Sequence, residues 1–306
     1  MRQTQDVRCG RSIRLGLADP GGQSDASIWL HCGTMRRLSG RLLVALLLLY
    51  WALGAASAAA PRSVFLEELS TAEVSAALKD GTTTIIIPVG GTEQSGPHLA
   101  LGKHNQRVRV LAGRVAAQLG RTLVAPVLAY VPEGTIDPPT EHMRFAGTVS
   151  IPVPVFQAVL ESATRSFWQH GFRDVVLIGD HGGYQAALQA LVARMRPPAG
   201  APAARVHFVG AYYQAAQAPF HAWLRGQGLT EAQIGSHAGA ADTALQLAVA
   251  PDMVRPELLA QAAHAGAGGG TLGDPRAATA ELGRSGAEQI VERTVAAIRV
   301  AVSSKR

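Results

Sequence analysis

The sequence predicts an α/β fold, a three-layer α/β/α domain with a mostly parallel central sheet. Strand-like and helix-like segments alternate from residue 63 onward, which is typical of a parallel sheet with helices on both faces. Residues 83–89 read Thr-Thr-Ile-Ile-Ile-Pro-Val and residues 174–178 read Asp-Val-Val-Leu-Ile. Each run is apolar on both faces, as buried parallel strands are. No internal repeat and no second apolar core interrupt the pattern, which favours one domain over residues 61–306.

The other elements follow from residue type and spacing. Residues 155–170 predict a helix because apolar side chains recur there about every four positions. Residues 123–131 predict a strand that Pro126 bends or confines to the sheet edge. The remaining expected elements are helices at 71–78, 107–119, 184–195, 240–250 and 285–300 and a strand at 206–211.

The charge balance excludes a nucleic-acid-binding surface on this domain. The chain carries 28 Lys and Arg against 22 Asp and Glu, a formal net charge of +6. Seven arginines and only three acids lie in residues 1–60, which leaves 21 basic and 19 acidic residues afterwards without any basic run. Both cysteines, Cys9 and Cys32, also precede residue 61. A disulfide framework and cysteine-ligated zinc are therefore excluded for the domain.

Residues 35–60 have the pattern of a secretory signal peptide. Met35 is followed by three arginines and then by an apolar run over residues 42–53. Small alanine and serine residues follow up to residue 60, as signal peptidase requires. We expect residues 1–34 to be an upstream extension and the mature chain to be periplasmic or secreted. The alternative is an uncleaved N-terminal membrane anchor, because the apolar run and the segment after it carry no charge.

Side chains that can bind metal or move protons follow two of the predicted strands, and a third group precedes a helix. These are Glu93, His98 and His104 after the first strand, Asp180 and His181 after the 174–178 strand, and His237 and Asp242 before the helix at 240–250. Sites in open α/β sheets form outside the carboxyl ends of the strands. We therefore expect the two strand exits to face each other across a pocket.

These stretches resemble the motifs of the creatininase (creatinine amidohydrolase) family. Residues 93–98 (Glu-Gln-Ser-Gly-Pro-His) are similar to the family's Glu-Gln-His-Gly-Pro-His, and residues 179–183 (Gly-Asp-His-Gly-Gly) are similar to its Asn-Gly-His-Gly-Gly. Further similarities lie at 142–148, 237–242 and 273–279. The resemblance spans about residues 64–300 in the family's own order, which is more specific than any single motif.

The resemblance implies a metal site with altered ligands. Glu93 and His181 stand where the family places metal ligands, and Asp242 stands at the position of a late Glu. His104 replaces a bridging Asp, and Ser95 replaces a His. Because imidazole seldom bridges two ions, we expect one divalent ion, Zn²⁺ or alternatively Mn²⁺ or Fe²⁺, held by Glu93, His104, His181 and Asp242. The alternative for His104 is a surface residue that marks an inactive site.

The same resemblance implies roles for four other side chains. His237 corresponds to a His close to the reacting bond and is expected to be catalytic, although it could instead cap the following helix. His98 is expected to support its loop, and Asp180 to accept a hydrogen bond that fixes the imidazole of His181. His142 is expected beside the ligands or the substrate.

The function that the resemblance implies is metal-dependent hydrolysis of an amide-type, non-peptide C–N bond in a small molecule. A metal-bound water would attack, and His237 or Asp242 would carry the proton to the leaving nitrogen. The family also implies a homo-oligomer. The alternative, favoured by the changes at Ser95 and His104, is an exported binding protein or pseudoenzyme that keeps the fold without turnover.

Overall fold

Four parallel strands form the central sheet of residues 62–304, the part of the chain that a computed structural model describes. The strands are β1 (Thr84–Val89), β2 (Thr122–Val124), β3 (Asp174–Gly179) and β4 (Arg205–Phe208), in the order β2-β1-β3-β4. All three pairings are parallel, and Ile86 of β1 lies in register with Val124 of β2 and Val176 of β3. The expected α/β fold with a parallel sheet is confirmed.

Ten α-helices surround this sheet in the described residues. They are α1 (Thr71–Lys79), α2 (Lys103–Leu119), α3 (Val153–Gln169), α4 (Gln185–Arg194), α5 (Ala211–Ala215), α6 (Ala218–Gly226), α7 (Glu231–Ile234), α8 (Ala240–Val249), α9 (Leu259–Ala265) and α10 (Ala280–Ser303). The sequence pattern predicts six of them, with ends within a few residues: α1, α2, α3, α4, α8 and α10. It misses the short helices α5, α6, α7 and α9, because runs of four to nine residues carry little periodicity.

The two faces of the sheet bury separate apolar cores, which makes the domain three-layered. Ile86 and Val176 point into a core shared with α2, α5, α6, α8 and α10. Their neighbours Ile85 and Val175 point to the opposite face, into a core shared with α3 and α4. Successive side chains of a strand alternate between faces, so a strand that is apolar at every position is covered on both.

The second strand is shorter than the sequence suggests. Residues 123–131 are predicted as a strand, but β2 ends at Val124. Ala125 and Leu128 still donate backbone hydrogen bonds to Ile86 and Pro88. Pro126 lies between them without an N–H to donate, so the ladder cannot continue as regular strand.

The chain connections place a crevice between the ends of β1 and β3. From β1 the chain crosses to β2 on one side, and from β3 it crosses to β4 on the other. In open parallel sheets, ligand-binding sites form between two neighbouring strands whose chain connections lead in opposite directions. The buried Tyr184 joins the two strand ends: its hydroxyl lies 2.6 Å from the Gly90 carbonyl oxygen and accepts hydrogen bonds from the backbone N–H groups of Asp180 and His181.

The start of α2 lies directly against the end of β1. Asn105 accepts a hydrogen bond from the Gly91 backbone N–H at 2.9 Å. A Cβ atom at Gly90 would lie 2.1 Å from Asn105 Oδ1, so only glycine permits this close approach. The side chains at the start of α2 are thereby held over the crevice.

The expected upstream extension and signal peptide lie outside the described residues. Among residues 62–304, no helix has both the length and the apolar character needed to cross a membrane.

Candidate metal centre

Four ligand-type side chains converge in the crevice. They are Glu93, Glu133, His142 and His181, and each offers one atom within 4.8 Å of the others. Glu93 follows β1 and His181 follows β3, whereas Glu133 and His142 come from the loop between β2 and α3. Both carboxyl groups are buried and both imidazoles are partly exposed. We call this group the metal-ligand group.

Three of the four carboxyl oxygens of this group make no hydrogen bond to the protein. Glu93 Oε2 lies 3.1 Å from His142 Nε2 and 3.4 Å from His181 Nε2, and Glu133 Oε2 lies 3.2 Å from His181 Nδ1. Glu93 Oε2 and both oxygens of Glu133 are buried without a hydrogen bond. An unsatisfied buried carboxyl oxygen is costly. A divalent cation bound by these oxygens and imidazoles would remove that cost, so the residues present fit a metal ion.

The ionisation states also suit a cation. Burial, followed by the charge of Glu93, raises the pKa of Glu133 to about 9. Burial lowers the pKa of His181 to about 3, which keeps the imidazole neutral as a metal ligand must be. A bound cation would favour the ionised form of Glu133.

A second group of buried charges, which we call the ion-pair cluster, lies beside the first. The basic side chains of Lys103, His104 and Arg107 come from the start of α2. The carboxylates are those of the buried Asp180, which follows β3, and of the partly exposed Asp242 of α8. Arg107 binds both carboxylates, Asp180 Oδ2 at 2.8 Å and Asp242 Oδ1 at 2.9 Å. Lys103 Nζ lies 3.2 Å from Asp242 Oδ2. Three helix residues thereby neutralise carboxylates from other segments.

Asp180 is the most heavily bonded carboxylate of the ion-pair cluster. It accepts hydrogen bonds from Arg107 Nε, from His104 Nδ1 at 2.5 Å and from the Tyr212 hydroxyl at 2.7 Å. Burial opposes its charge, but Arg107 and His104 hold its pKa well below the usual range. Asp180 therefore interacts with His104, and it does not fix the His181 ring as the sequence suggests.

His104 and Asp242 lie outside the metal-ligand group, although the sequence suggests both as ligands. Each ring nitrogen of His104 contacts a carboxylate oxygen, Nε2 at 2.8 Å from Glu93 Oε1 and Nδ1 at Asp180. Asp242 accepts from Lys103, Arg107 and the Ala238 backbone N–H. The atoms with which His104 and Asp242 could bind a metal ion already form ion pairs. Glu93 and His181 lie side by side, as expected.

Two other histidines have distinct surroundings. His98 is fully buried, and its Nε2 lies 2.9 Å from Thr243 Oγ1, so it joins its loop to α8. His237 lies near the ligands, with Nδ1 3.9 Å from Glu93 Oε1 and Nε2 3.1 Å from the Gln94 carbonyl oxygen. Burial lowers the pKa of His237 to about 4, so the ring is neutral at pH 7.

A pocket of about 400 Å³ opens over the metal-ligand group. Its lining includes Gln94, His142, Phe145, His181, His237 and Leu272. A larger cavity of about 770 Å³ lies at the amino ends of β3 and β4, beside Trp168 and Arg205. It is far from these side chains, so the smaller pocket is the candidate active site.

Sequence reasoning misses Glu133, Lys103, Arg107 and Gln94. Arg107 follows Lys103 by four positions and His104 by three, the spacing of neighbours on a helix surface, but the helix predicted at 107–119 begins too late to include the first two. Glu133 offers no such signal, because it lies in a loop that is far from Glu93 and His181 in sequence. Gln94 is within the Glu93 motif, and its Nε2 lies 3.1 Å from His142 Nδ1.

Together, the sheet and the buried carboxyl and imidazole groups define an α/β domain with a candidate metal centre at the carboxyl ends of two parallel strands. The sequence model described as "Creatininase: Creatinine amidohydrolase" matches residues 67–298. Because that match covers most of the chain, the protein belongs to the creatininase family.

Relatives of known name agree with this assignment. A mycofactocin precursor peptide peptidase of Mycolicibacterium smegmatis is 38% identical over 117 residues, which is 37% of this chain and 44% of the relative. The chain thus spans less than half the length of that relative. A protein of the same name from Mycobacterium ulcerans is 29% identical over 257 residues, 76% of this chain and 91% of the relative.

Solved structures agree on the fold. Two creatininases, one a mutant of the Zn–Zn type and one described as a manganese form, are each 24% identical to this chain. Each comparison covers 79% of this chain and 100% of the other, with TM-scores of 0.61 and 0.62.

Proposed function

We propose that the protein is a metal-dependent hydrolase that cleaves an amide-type C–N bond of a small molecule. The observation that carries this proposal is the set of unpartnered carboxyl oxygens of Glu93 and Glu133, which face the imidazoles of His142 and His181 beneath a pocket. Membership of the creatininase family supports the reaction class.

Glu93, Glu133, His142 and His181 would hold one divalent ion, Zn²⁺ or alternatively Mn²⁺ or Fe²⁺. Imidazole and carboxylate ligands suit all three metals. Bound there, the ion would supply a Lewis acid that polarises an amide oxygen and acidifies a water molecule. This ligand set replaces the one that the sequence suggests, because His104 and Asp242 are engaged in ion pairs.

His237 is the residue we propose to move the proton. The Gln94 backbone carbonyl oxygen, which can only accept a hydrogen bond, lies 3.1 Å from His237 Nε2 and is closer than the Gln94 side-chain nitrogen at 3.3 Å, so we assign the hydrogen to Nε2. The lone pair is then on Nδ1, the nitrogen that faces Glu93. A neutral imidazole in this tautomer can take a proton from water and return it to the leaving nitrogen.

The size of the pocket limits the substrate to a small molecule or the end of a larger one. About 400 Å³ falls in the range typical of small-molecule sites. His142, His237 and Gln94 supply polar contacts, and Phe145 and Leu272 supply apolar ones. A neutral or weakly polar amide fits this lining better than a highly charged substrate does.

The proposal is tested by assaying hydrolysis of a panel of cyclic amides, formamides and short peptides with protein reconstituted with Zn²⁺, Mn²⁺ or Fe²⁺. His181→Ala should lose both the ion and hydrolysis. His237→Asn should keep the ion and lose about 10²–10⁴-fold in rate. His264→Ala is the matched control, because His264 is an exposed histidine of α9.

The second candidate is a binding protein or pseudoenzyme. The hydroxyl of Ser95 supports it, because it is buried without a hydrogen bond in the motif where the family has a His. Stoichiometric ion binding without turnover of any amide would favour this candidate. Absence of ion binding after reconstitution would contradict the metal centre itself.

We also propose, from residues 35–60 alone, that the chain is exported and cleaved near Pro61. N-terminal sequencing of the protein from the periplasm or medium should find a chain that begins near residue 61. Recovery of residues 42–53 in the membrane fraction would instead support the anchored alternative.

A further inference from the structure

Lys103, the first residue of α2, carries a fully buried ammonium group. Its side chain is 0% exposed, and Nζ lies 3.5 Å from Glu93 Oε1 and 3.2 Å from Asp242 Oδ2. Lysine is almost never fully buried unless it is paired. Here it lies between two carboxylates that come from the segment after β1 and from α8. These two carboxylates therefore stabilise a positive charge at the position of the ammonium group.

This ammonium group makes the two oxygens of Glu93 unequal. Oε1 contacts Lys103 Nζ and, at 2.8 Å, His104 Nε2. Oε2 makes no hydrogen bond and faces His142 and His181. One oxygen of Glu93 is thus occupied by cations of the protein, and only the other is available to an added ion.

Both oxygens of the Asp242 carboxylate also accept hydrogen bonds from groups of the protein. Oδ2 accepts from Lys103 and from the Ala238 backbone N–H, and Oδ1 accepts from Arg107. Without Lys103, Glu93 Oε1 and Asp242 Oδ2 would be two carboxylate oxygens on either side of a vacated space, with His237 Nδ1 3.9 Å from the first of them. Carboxylates and imidazole around a space of this kind are what a second divalent cation requires.

We propose that the Lys103 ammonium is a built-in counter-ion that takes the place of a second metal ion and limits the site to one exchangeable ion. This inference rests on the proposed function, because it assumes that the first ion binds through Glu93 Oε2. Its consequence is that the number of ions depends on a residue that is not itself a ligand.

The experiment separates the charge of Lys103 from its volume. Lys103→Ala removes both, Lys103→Met removes the charge and keeps much of the volume, and Lys103→Arg keeps the charge. The exposed Lys79 of α1 supplies the control variant Lys79→Ala. Each full-length protein is stripped of metal and titrated with Zn²⁺ alone. Calorimetry gives the affinities, and native mass spectrometry with elemental analysis gives the number of ions per chain.

We expect one ion in the unaltered protein, in Lys103→Arg and in Lys79→Ala, and two in Lys103→Ala. Lys103→Met should still bind one ion but roughly tenfold or more tightly, because a positive charge beside the ligands has been removed. Circular dichroism and thermal unfolding check that each variant is folded. If Lys103→Ala does not fold, the affinity of Lys103→Met decides.

Two ions in the unaltered protein, or one ion in folded Lys103→Ala together with unchanged affinity in Lys103→Met, would overturn the inference. These outcomes leave the metal centre of the proposed function intact. Absence of any ion in the unaltered protein would instead contradict that metal centre. The inference would fail with it, since it assumes that a first ion binds.

Discussion

The ion-pair cluster and the metal-ligand group lie at the same edge of the sheet and share Glu93, yet their charges are balanced differently. In the first, Lys103, His104 and Arg107 of α2 bind buried carboxylates at 2.5 to 3.5 Å. In the second, Glu133 and one oxygen of Glu93 make no hydrogen bond and lie beside the imidazoles of His142 and His181. The carboxylates of the ion-pair cluster are thus neutralised by side chains of the protein, whereas those of the metal-ligand group require an added cation.

The largest effect on stability should follow from removing a carboxylate of the ion-pair cluster. Asp180→Asn leaves Arg107 and His104 buried beside a neutral amide. Loss of one partner of a buried ion pair typically lowers the free energy of unfolding by about 3–5 kcal/mol. Chemical denaturation measures the change.

The control for Asp180→Asn is the exposed pair of Glu161 and Arg165 on α3. Glu161→Gln should cost about 0.5 kcal/mol or less, because solvent screens such pairs. Equal effects of the two substitutions would show that the ion-pair cluster contributes no more than a surface pair.

The metal-ligand group should respond in the opposite way to a similar change. Glu133→Gln replaces a carboxyl group that is protonated near pH 7 in the metal-free protein, so its stability should hardly change. Its affinity for Zn²⁺ should fall about 100-fold or more, since loss of even a group that only supports a ligand costs 10–100-fold. Calorimetric titration and denaturation of the same samples test both halves of the prediction. A large loss of metal-free stability would mean that Glu133 is charged and paired.

Above about pH 7, the metal-free protein should become less stable as the pH rises. The unfolded chain loses the Glu133 proton near 4.5, whereas the folded chain keeps it up to about 9. Between these values the folded state binds the extra proton, so the free energy of unfolding falls with increasing pH. Urea denaturation in the presence of a chelator, over roughly pH 7 to 9, measures this slope. At lower pH the lowered pKa values of His181 and His237 act in the opposite direction, because the unfolded chain then binds their protons.

Glu133→Gln is the control for the pH dependence, since it removes the titrating group at constant size. Its unfolding free energy should fall less steeply with pH than that of the unaltered protein. Parallel profiles would assign the pH dependence to other groups.

A smaller effect than that of Asp180→Asn should come from the hydroxyl of Tyr212, which donates a hydrogen bond to Asp180 at 2.7 Å. Tyr212→Phe removes one of several partners of a charged acceptor, which corresponds to about 1.5–3 kcal/mol of unfolding free energy. Tyr130→Phe is the control, because Tyr130 is 60% exposed. Thermal unfolding should rank Asp180→Asn above Tyr212→Phe and Tyr212→Phe above Tyr130→Phe. A reversed order of the first two would show that the Asp180 charge matters less than its hydroxyl partner.

Much of the fold could be predicted because its main determinants are local. The apolar β-branched runs at 83–89 and 174–178 can only be strands buried on both faces. The segments that form α3 and α10 are long enough for the periodic spacing of their apolar residues to be recognised. The end of β2 was not predicted, since it depends on which backbone groups of residues 125–131 meet β1.

The candidate site could be predicted only where its residues follow strands. Glu93 and His181 leave adjacent parallel strands, so their meeting follows from strand order, and their side chains lie 3.4 Å apart. Glu133 reaches them through a long loop whose path has no periodic signal. Motif position suggests His104 and Asp242 as ligands. It does not reveal that both side chains already form ion pairs with other charged residues.

By itself, the sequence determined the alternation of strands and helices, the family and the two strand exits that carry Glu93 and His181, because these depend on residue type and order along the chain. Only the tertiary structure decided which buried charges are paired. Lys103, Arg107 and Asp180 are brought within 4 Å of opposite charges by the packing of α2 against β1, β2 and α8. The strength of a charge interaction depends on distance and on exclusion of water, and neither is written in the spacing of residues. The same packing left Glu133 and one oxygen of Glu93 without protein partners, at the place where we propose that the metal binds.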